Sequence, residues 1–176
     1  MEADFKARFA AVAYRQGRTS EAIRAAAAME SIRIGMLVDA ASRLPDTEFV
    51  ALVVGCYGEG DTRERQAILR GLPFFPSPGR FLHLAFDACR SHIQPLFEAV
   101  ACENPYPSDY FSEEAMNHLV LKALAVGTPL HRIVGLARRL NADLIRMAED
   151  YAAERLAAGR PVSPDIELLF RRRNLV

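Results

Sequence analysis

Apolar residues recur at three- and four-residue spacing along nearly the whole chain, the period of helices buried on one face. Phe5, Phe9, Val12 and Ala13 carry it through the first stretch, EADFKARFAAVAYRQG. It resumes after Gly17 in TSEAIRAAAAMESIRIGMLVDAAS, where a run of alanines needs no cause beyond helix propensity, and Pro45 stops it. EFVALVVGCYG is short and β-branched, but its flanks read as helix. Asp46 or Thr47 is its expected cap, and Val50, Val53, Val54 and Tyr57 its stripe. Asp61 followed three residues on by Glu64 has the form of a capping box. Gly71 closes that helix, and PFFPSPG links it to the next, which Ser77-Pro78 opens and Leu82, Ala85, Phe86 and Cys89 stripe.

A helix from His92 to Glu103 follows, with Pro95 tolerated in its first turn. After NPYPSDYF, Ser112 caps EEAMNHLVLKALAVG, Thr128-Pro129 starts LHRIVGLARRL, Asn141 caps ADLIRMAEDYAAERLAAG, and Ser163-Pro164 opens a last short helix. No stretch keeps the strict alternation of a half-buried strand. The pattern predicts an all-α protein of about nine or ten short helices, successive ones antiparallel across tight Gly and Pro turns. A HEAT-like array and an orthogonal bundle both fit, and no sequence period repeats. A single helical domain over residues 1–176 is expected.

Composition narrows the class. Lys plus Arg number 22 and Asp plus Glu 22, so the chain lacks the basic excess that nucleic acid or an anionic membrane surface selects. The local exception, Arg171-Arg172-Arg173, reads as a solvated tail. The three cysteines, Cys56, Cys89 and Cys102, lack metal-type spacing and sit among apolar neighbours as small hydrophobes. No signal-like segment opens the chain, and no apolar run approaches the ~20 residues of a bilayer span. A reduced, cytoplasmic protein without direct membrane insertion is expected.

The candidate chemistry gathers around FEAVACENPYPSDYF, Phe97 to Phe111. Pro105 disfavours the α conformation at Asn104, and Pro105 and Pro107 are expected to hold the loop extended, with Tyr106 and Tyr110 offering hydroxyls. Such a loop joins helices tightly or presents polar groups, and joining is the commoner use. On a helical wheel Glu103 shares the apolar face of His92, Leu96, Ala99 and Val100, while Arg155 falls in the stripe of Leu144, Met147, Ala148, Tyr151 and Ala158. Two inward charges of opposite sign predict a buried pair, Arg155 with Glu103 first and Glu98 second. Asn117 lies at the edge of the stripe of Met116, Leu119, Val120, Ala123 and Leu124, with His118 and Lys122 opposite. The loop is expected to line the largest polar-floored concavity. His83 and Asp87 have two-ligand spacing but no evident third ligand, so no metal site is assigned. No phosphate loop, nucleophile elbow or other cofactor motif occurs, and no cofactor is expected.

The stretch from about Gly71 to Val162 resembles the EboA family. The segments that carry this are LPFFPSPGRFLHLAFDACRSH, LFEAVACENPYPSDYF, MNHLVLKALAVGTPLHRIVGL and RMAEDYAAERLAAGRPV, the Asn-Pro-Tyr-Pro-x-x-Tyr-Phe element being the most specific. The N-terminal part matches loosely and is shorter than the family pattern. Pattern positions filled here include Glu98, Asn104, Tyr106, Tyr110, Asn117, Lys122, Arg132, Asp150, Glu154 and Arg155, whereas His92 and Met116 stand where asparagine and tryptophan are usual. The resemblance implies a bacterial gene cluster shared with a prenyltransferase-like membrane protein, a hydrolase-like protein and relatives of sugar-phosphate enzymes. That cluster serves the making or export of secondary-metabolite precursors.

Two classes of function follow. The first is an accessory protein that binds a small metabolite, or another protein of the same cluster, without converting it. The second is an enzyme of that pathway beside Asn104–Phe111, with Glu98 or Glu103 as acid or base, Tyr106 or Tyr110 as donor and Arg155 as anion clamp. Asn117, Lys122 and Arg132 complete the candidate ligand-binding set.

Overall fold

The computed structural model describes residues 2–11 and 20–171, the side chains of 20–26 excepted. The expectations for Val12, Ala13, Gly17, Arg172 and Arg173 lie outside the described residues. All regular structure among the described residues is helical. The chain divides into two compact units, Met1–Val100 and Ala101–Val176.

The N-terminal unit holds α1 (Glu2–Ala10), α2 (Ser20–Arg43), α3 (Asp46–Glu59), α4 (Thr62–Gly71), α5 (Leu82–Arg90) and most of α6 (Gln94–Ala101). The long α2 packs along α4, and α3 packs against both. Leu37, Phe49, Val53, Ile68, Leu69, Leu72 and Phe81 are fully buried there. Phe49, Phe75 and Phe81 meet edge to face, with centroids 5.4–6.1 Å apart. The capping box of α4 forms as its spacing predicts: the Asp61 carboxylate accepts from the Arg63 and Glu64 amides, and Glu64 accepts from the Asp61 amide. Glu64 also faces Arg33 at 3.7 Å, an ion pair with both side chains nearly fully buried. Arg33 Nε donates to the Phe9 carbonyl at 3.2 Å, and its guanidinium lies over the Phe9 ring.

Two apolar stripes differ from expectation. In α3 the buried set is Phe49, Leu52, Val53, Cys56 and Tyr57, with Val54 exposed. The helix begins at Asp46 after Pro45 with no side-chain cap, so neither Asp46 nor Thr47 serves as one. In α5 the set is Leu84, Ala85 and Ala88, because a 3₁₀ turn over Pro78–Phe81 precedes the α-helix and resets its phase.

The C-terminal unit holds α7 (Tyr106–Tyr110), α8 (Glu113–Val126), α9 (Ala142–Ala157) and α10 (Glu167–Phe170). Ser112 caps α8 through the Ala115 amide and Asn141 caps α9 through the Leu144 amide, both as predicted. The expected core stripe of α8 is buried in full. Residues 129–140 do not form the helix their periodicity predicts. They make two separate 3₁₀ turns, Leu130–Arg132 and Leu136–Arg138, because Gly135 between them takes φ 74°.

Candidate functional site

Asn104–Phe111 folds around a short helix, α7, over Tyr106–Tyr110, rather than forming the extended loop its prolines predict. Pro105 takes φ −73° and ψ −15°, a helical conformation that proline tolerates where no intrahelical amide is needed. Asn104, itself buried, starts the turn by accepting the Tyr106 amide at 3.0 Å. Tyr106 is fully buried, its ring 4.9 Å from that of the partly exposed Tyr110 and edge-on to Phe111. Burial pushes the Tyr106 phenol well above its ordinary pKa, and Tyr110 adds to the shift.

The segment bearing the two 3₁₀ turns grips this helix. Arg138 donates from Nε and Nη2 to Ser108 Oγ at 3.2 and 2.9 Å, and also bonds the Asp109 carboxylate. Arg139 donates to the Ser108 and Phe111 carbonyls at 3.3 and 2.6 Å. A Cβ on Gly135 would collide with Ser108 Oγ and stand 2.9 Å from its Cβ. Ser108 is 4% exposed, so this clasp is built into the fold. Sequence reasoning gave Ser108 only a turn-forming role and passed over Arg138 and Arg139. On a continuous helix the adjacent arginines would form an ordinary polar face, and only the break at Gly135 turns them toward α7.

Glu103 and Arg155 do not pair. Helix α6 ends at Ala101, and Glu103 adopts φ 50°, so the wheel that aims Glu103 inward no longer applies to it. Its side chain is 54% exposed and grips Arg132, with Nε–Oε1 at 2.8 Å and Nη2–Oε2 at 3.0 Å. The Glu103 amide donates to the Arg132 carbonyl as well. Arg155 is half-buried and donates from Nε and Nη2 to the Pro161 carbonyl at 3.1 and 2.9 Å, fastening the turn after α9. The expected stripe of α9 holds in its first half, where Leu144 and Ala148 are buried, but thins to half-buried Met147, Tyr151 and Arg155 and exposed Ala158, so Arg155 has no core that requires a carboxylate partner.

Asn117 is 3% exposed and faces Asn141 in a reciprocal amide pair, with N–O distances of 3.2 and 2.9 Å. The pair locks α8 to the start of α9. Lys122 is half-buried on α8. In the N-terminal unit, Glu98 accepts from Gln94 at 2.8 Å within α6, and Asp87 accepts the Tyr57 hydroxyl at 3.0 Å. His83 is exposed, and no group of His, Cys, Asp and Glu among the described residues could hold a metal ion.

Two cavities open in the N-terminal unit, and neither is lined by Asn104–Phe111. One, of about 300 Å³, lies between α1, α2 and α3 over Phe5, Met36 and Leu52, with acidic and basic residues mixed around it. The other, of about 430 Å³, is lined by Glu30 and Arg33 of α2, Arg63, Gln66 and Arg70 of α4, and Pro95, with Ala27 and Met29. Arg63, Gln66 and Arg70 occupy one face of α4 at spacings of three and four, a signal legible in the sequence but not drawn from it. Glu30 Oε2 lies 3.2 Å from Arg70 Nε. Burial raises the Glu30 pKa, and Arg70 opposes the shift.

A family model described as metabolite traffic protein EboA matches residues 18–170, extending on both sides of the segment that carried the resemblance. No curated protein and no solved structure matches the chain significantly.

Proposed function

Since the chain belongs to the EboA family, we propose that it is an accessory protein of secondary-metabolite precursor biosynthesis or export that binds a small metabolite without converting it. Its working compartment on this reading is the cytoplasm. Among the described residues no helix is long and apolar enough to cross a membrane.

One observation carries the reading. The cavity of about 430 Å³ lies within the family-matched region, is of ligand size, and combines charged, amide and apolar lining. The enzymatic alternative draws on Glu98 or Glu103, Tyr106 or Tyr110, and Arg155, of which Glu103, Tyr106 and Arg155 already serve the fold. Glu103 fastens the turn at Arg132, Tyr106 is fully buried in an aromatic cluster, and Arg155 holds the Pro161 carbonyl. An acid or base must reach the reacting atom, which a fully buried phenol does not. Pathway partners remain the second accessory role, with other proteins of the same cluster as their source.

The test is mass spectrometry of small molecules that co-purify with the chain. Ala27 is exposed at the cavity edge, so Ala27→Trp obstructs the cavity at little cost to folding. Wild type and Tyr106→Phe are expected to retain the same small molecule, and Ala27→Trp to lose it. Turnover of a cluster intermediate that disappears in Glu103→Gln would overturn the reading in favour of the enzyme.

A further inference from the structure

We infer that the cavity between α2 and α4 recognises the phosphate group of a small phosphate monoester. The inference rests on the binding reading above and gives that site a ligand class. Three guanidinium groups, Arg33, Arg63 and Arg70, line the cavity with a single carboxylate, Glu30. Counting Glu64, which faces Arg33, three positive charges meet two negative ones, and the remaining positive excess favours an anion such as a phosphate monoester. A carboxylate is satisfied by one arginine fork, whereas the three terminal oxygens of a phosphate can be shared among forks from two helices.

Two further features favour an anion. Arg70 Nε is buried and makes no hydrogen bond. Glu30 is near enough for an ion pair at 3.2 Å but lies off the N–H direction, so this donor still lacks an aligned acceptor. Arg33 is 5% exposed and held in place by Glu64, the Phe9 carbonyl and the Phe9 ring. A side chain fixed in this way meets a ligand without an ordering cost at binding. Gln66, which donates to the Pro95 carbonyl at 3.3 Å, is an amide suited to a hydroxyl of the ester's organic part. Ala27, Met29 and Pro95 give that part an apolar wall. An arriving phosphate competes with Glu30 for Arg70.

Calorimetric titration of the whole chain with glycerol 1-phosphate, inorganic phosphate, glycerol and glutarate tests this. Glycerol 1-phosphate is expected to bind and glycerol not. Arg63→Gln and Arg70→Gln are each expected to weaken binding about tenfold, the range of one charge-assisted contact. Glu30→Gln is expected to tighten it several-fold by removing the competitor. Arg146→Gln, an exposed change on α9, is expected to leave it unaltered. Inorganic phosphate binding as tightly as the ester would overturn the monoester assignment in favour of a free-phosphate site. Glutarate binding more tightly would overturn phosphate while leaving the cavity as the binding site. Binding insensitive to both Arg63→Gln and Arg70→Gln would place the anion elsewhere and overturn the inference. If no probe binds but Ala27→Trp still loses the co-purified molecule, the ligand class is wrong and the binding reading stands.

Discussion

Gly135 and Gly127 share a left-handed backbone, with φ of 74° and 76°, but not a neighbourhood. Alanine at either position meets the left-handed penalty of about 1–2 kcal/mol. At Gly127 nothing stands within 4 Å of the added methyl, whereas at Gly135 the methyl runs into Ser108. Overpacking adds about 1–3 kcal/mol there. Gly135→Ala is therefore expected to lower the urea midpoint clearly more than Gly127→Ala, and equal losses would show that the clasp on α7 yields freely. Glu103 bears the same backbone strain without being glycine. Its exposed pair with Arg132 is expected to show a coupling of about 1 kcal/mol or less in a double-mutant cycle. A coupling of several kcal/mol would mean that the pair is shielded from water. Among the thiols, burial pushes Cys56 up to about 11, with Lys6 opposing. Little thiolate exists there at neutral pH, so Cys56 is expected to resist alkylation until the chain unfolds, as followed by mass spectrometry.

Helices are also joined by polar side chains that a wheel cannot rank. Asn117→Ala removes one half of the amide pair and leaves the Asn141 amide nitrogen short of a partner, at an expected cost of about 1–3 kcal/mol in urea unfolding. Asn141 is also the cap of α9, so Asn141→Ala is expected to cost at least as much. Much of this level was legible beforehand. The caps at Asp61, Ser112 and Asn141 follow from local chemistry, because an acceptor side chain and the amides it serves are close in sequence. The stripe of α8 was legible because that helix is regular from its cap to Gly127. The stripes of α3 and α5 were not, since a shift of one residue turns a helix by about 100° and the starting residue depends on the turn before it.

Over the whole molecule, an all-helical chain and its family were readable, while the pairing of charges was not. The sequence reading asked which carboxylate meets a cation on an apolar stripe, and that pattern does occur. It occurs at Arg33 and Glu64, not at Arg155 and Glu103. Glu64 was read as a cap alone, and its second role depends on α2 lying along α4, a contact between residues far apart in sequence. The arginine-lined cavity depends on the same packing. The clasp on α7 was hidden for a related reason: a single positive φ at Gly135 converts a helical period into two turns and redirects Arg138 and Arg139.

The buried tyrosines give this chain an optical signature. It has no tryptophan and five tyrosines, so its near-ultraviolet absorption and emission are dominated by phenols. Tyr57 reports on the N-terminal unit and Tyr106 on the C-terminal one. Burial raises the pKa of each, and the bond to Asp87 raises that of Tyr57 further. Below the ordinary phenol value of about 10 both states are protonated, and these groups do not alter stability with pH. Above it the unfolded phenols ionise while the folded ones resist, so stability falls as alkalinity rises. Absorbance at the phenolate band from Tyr57 and Tyr106 should therefore rise late, in a cooperative step as the buried rings are released. Separate late steps would reveal the order in which the two units unfold.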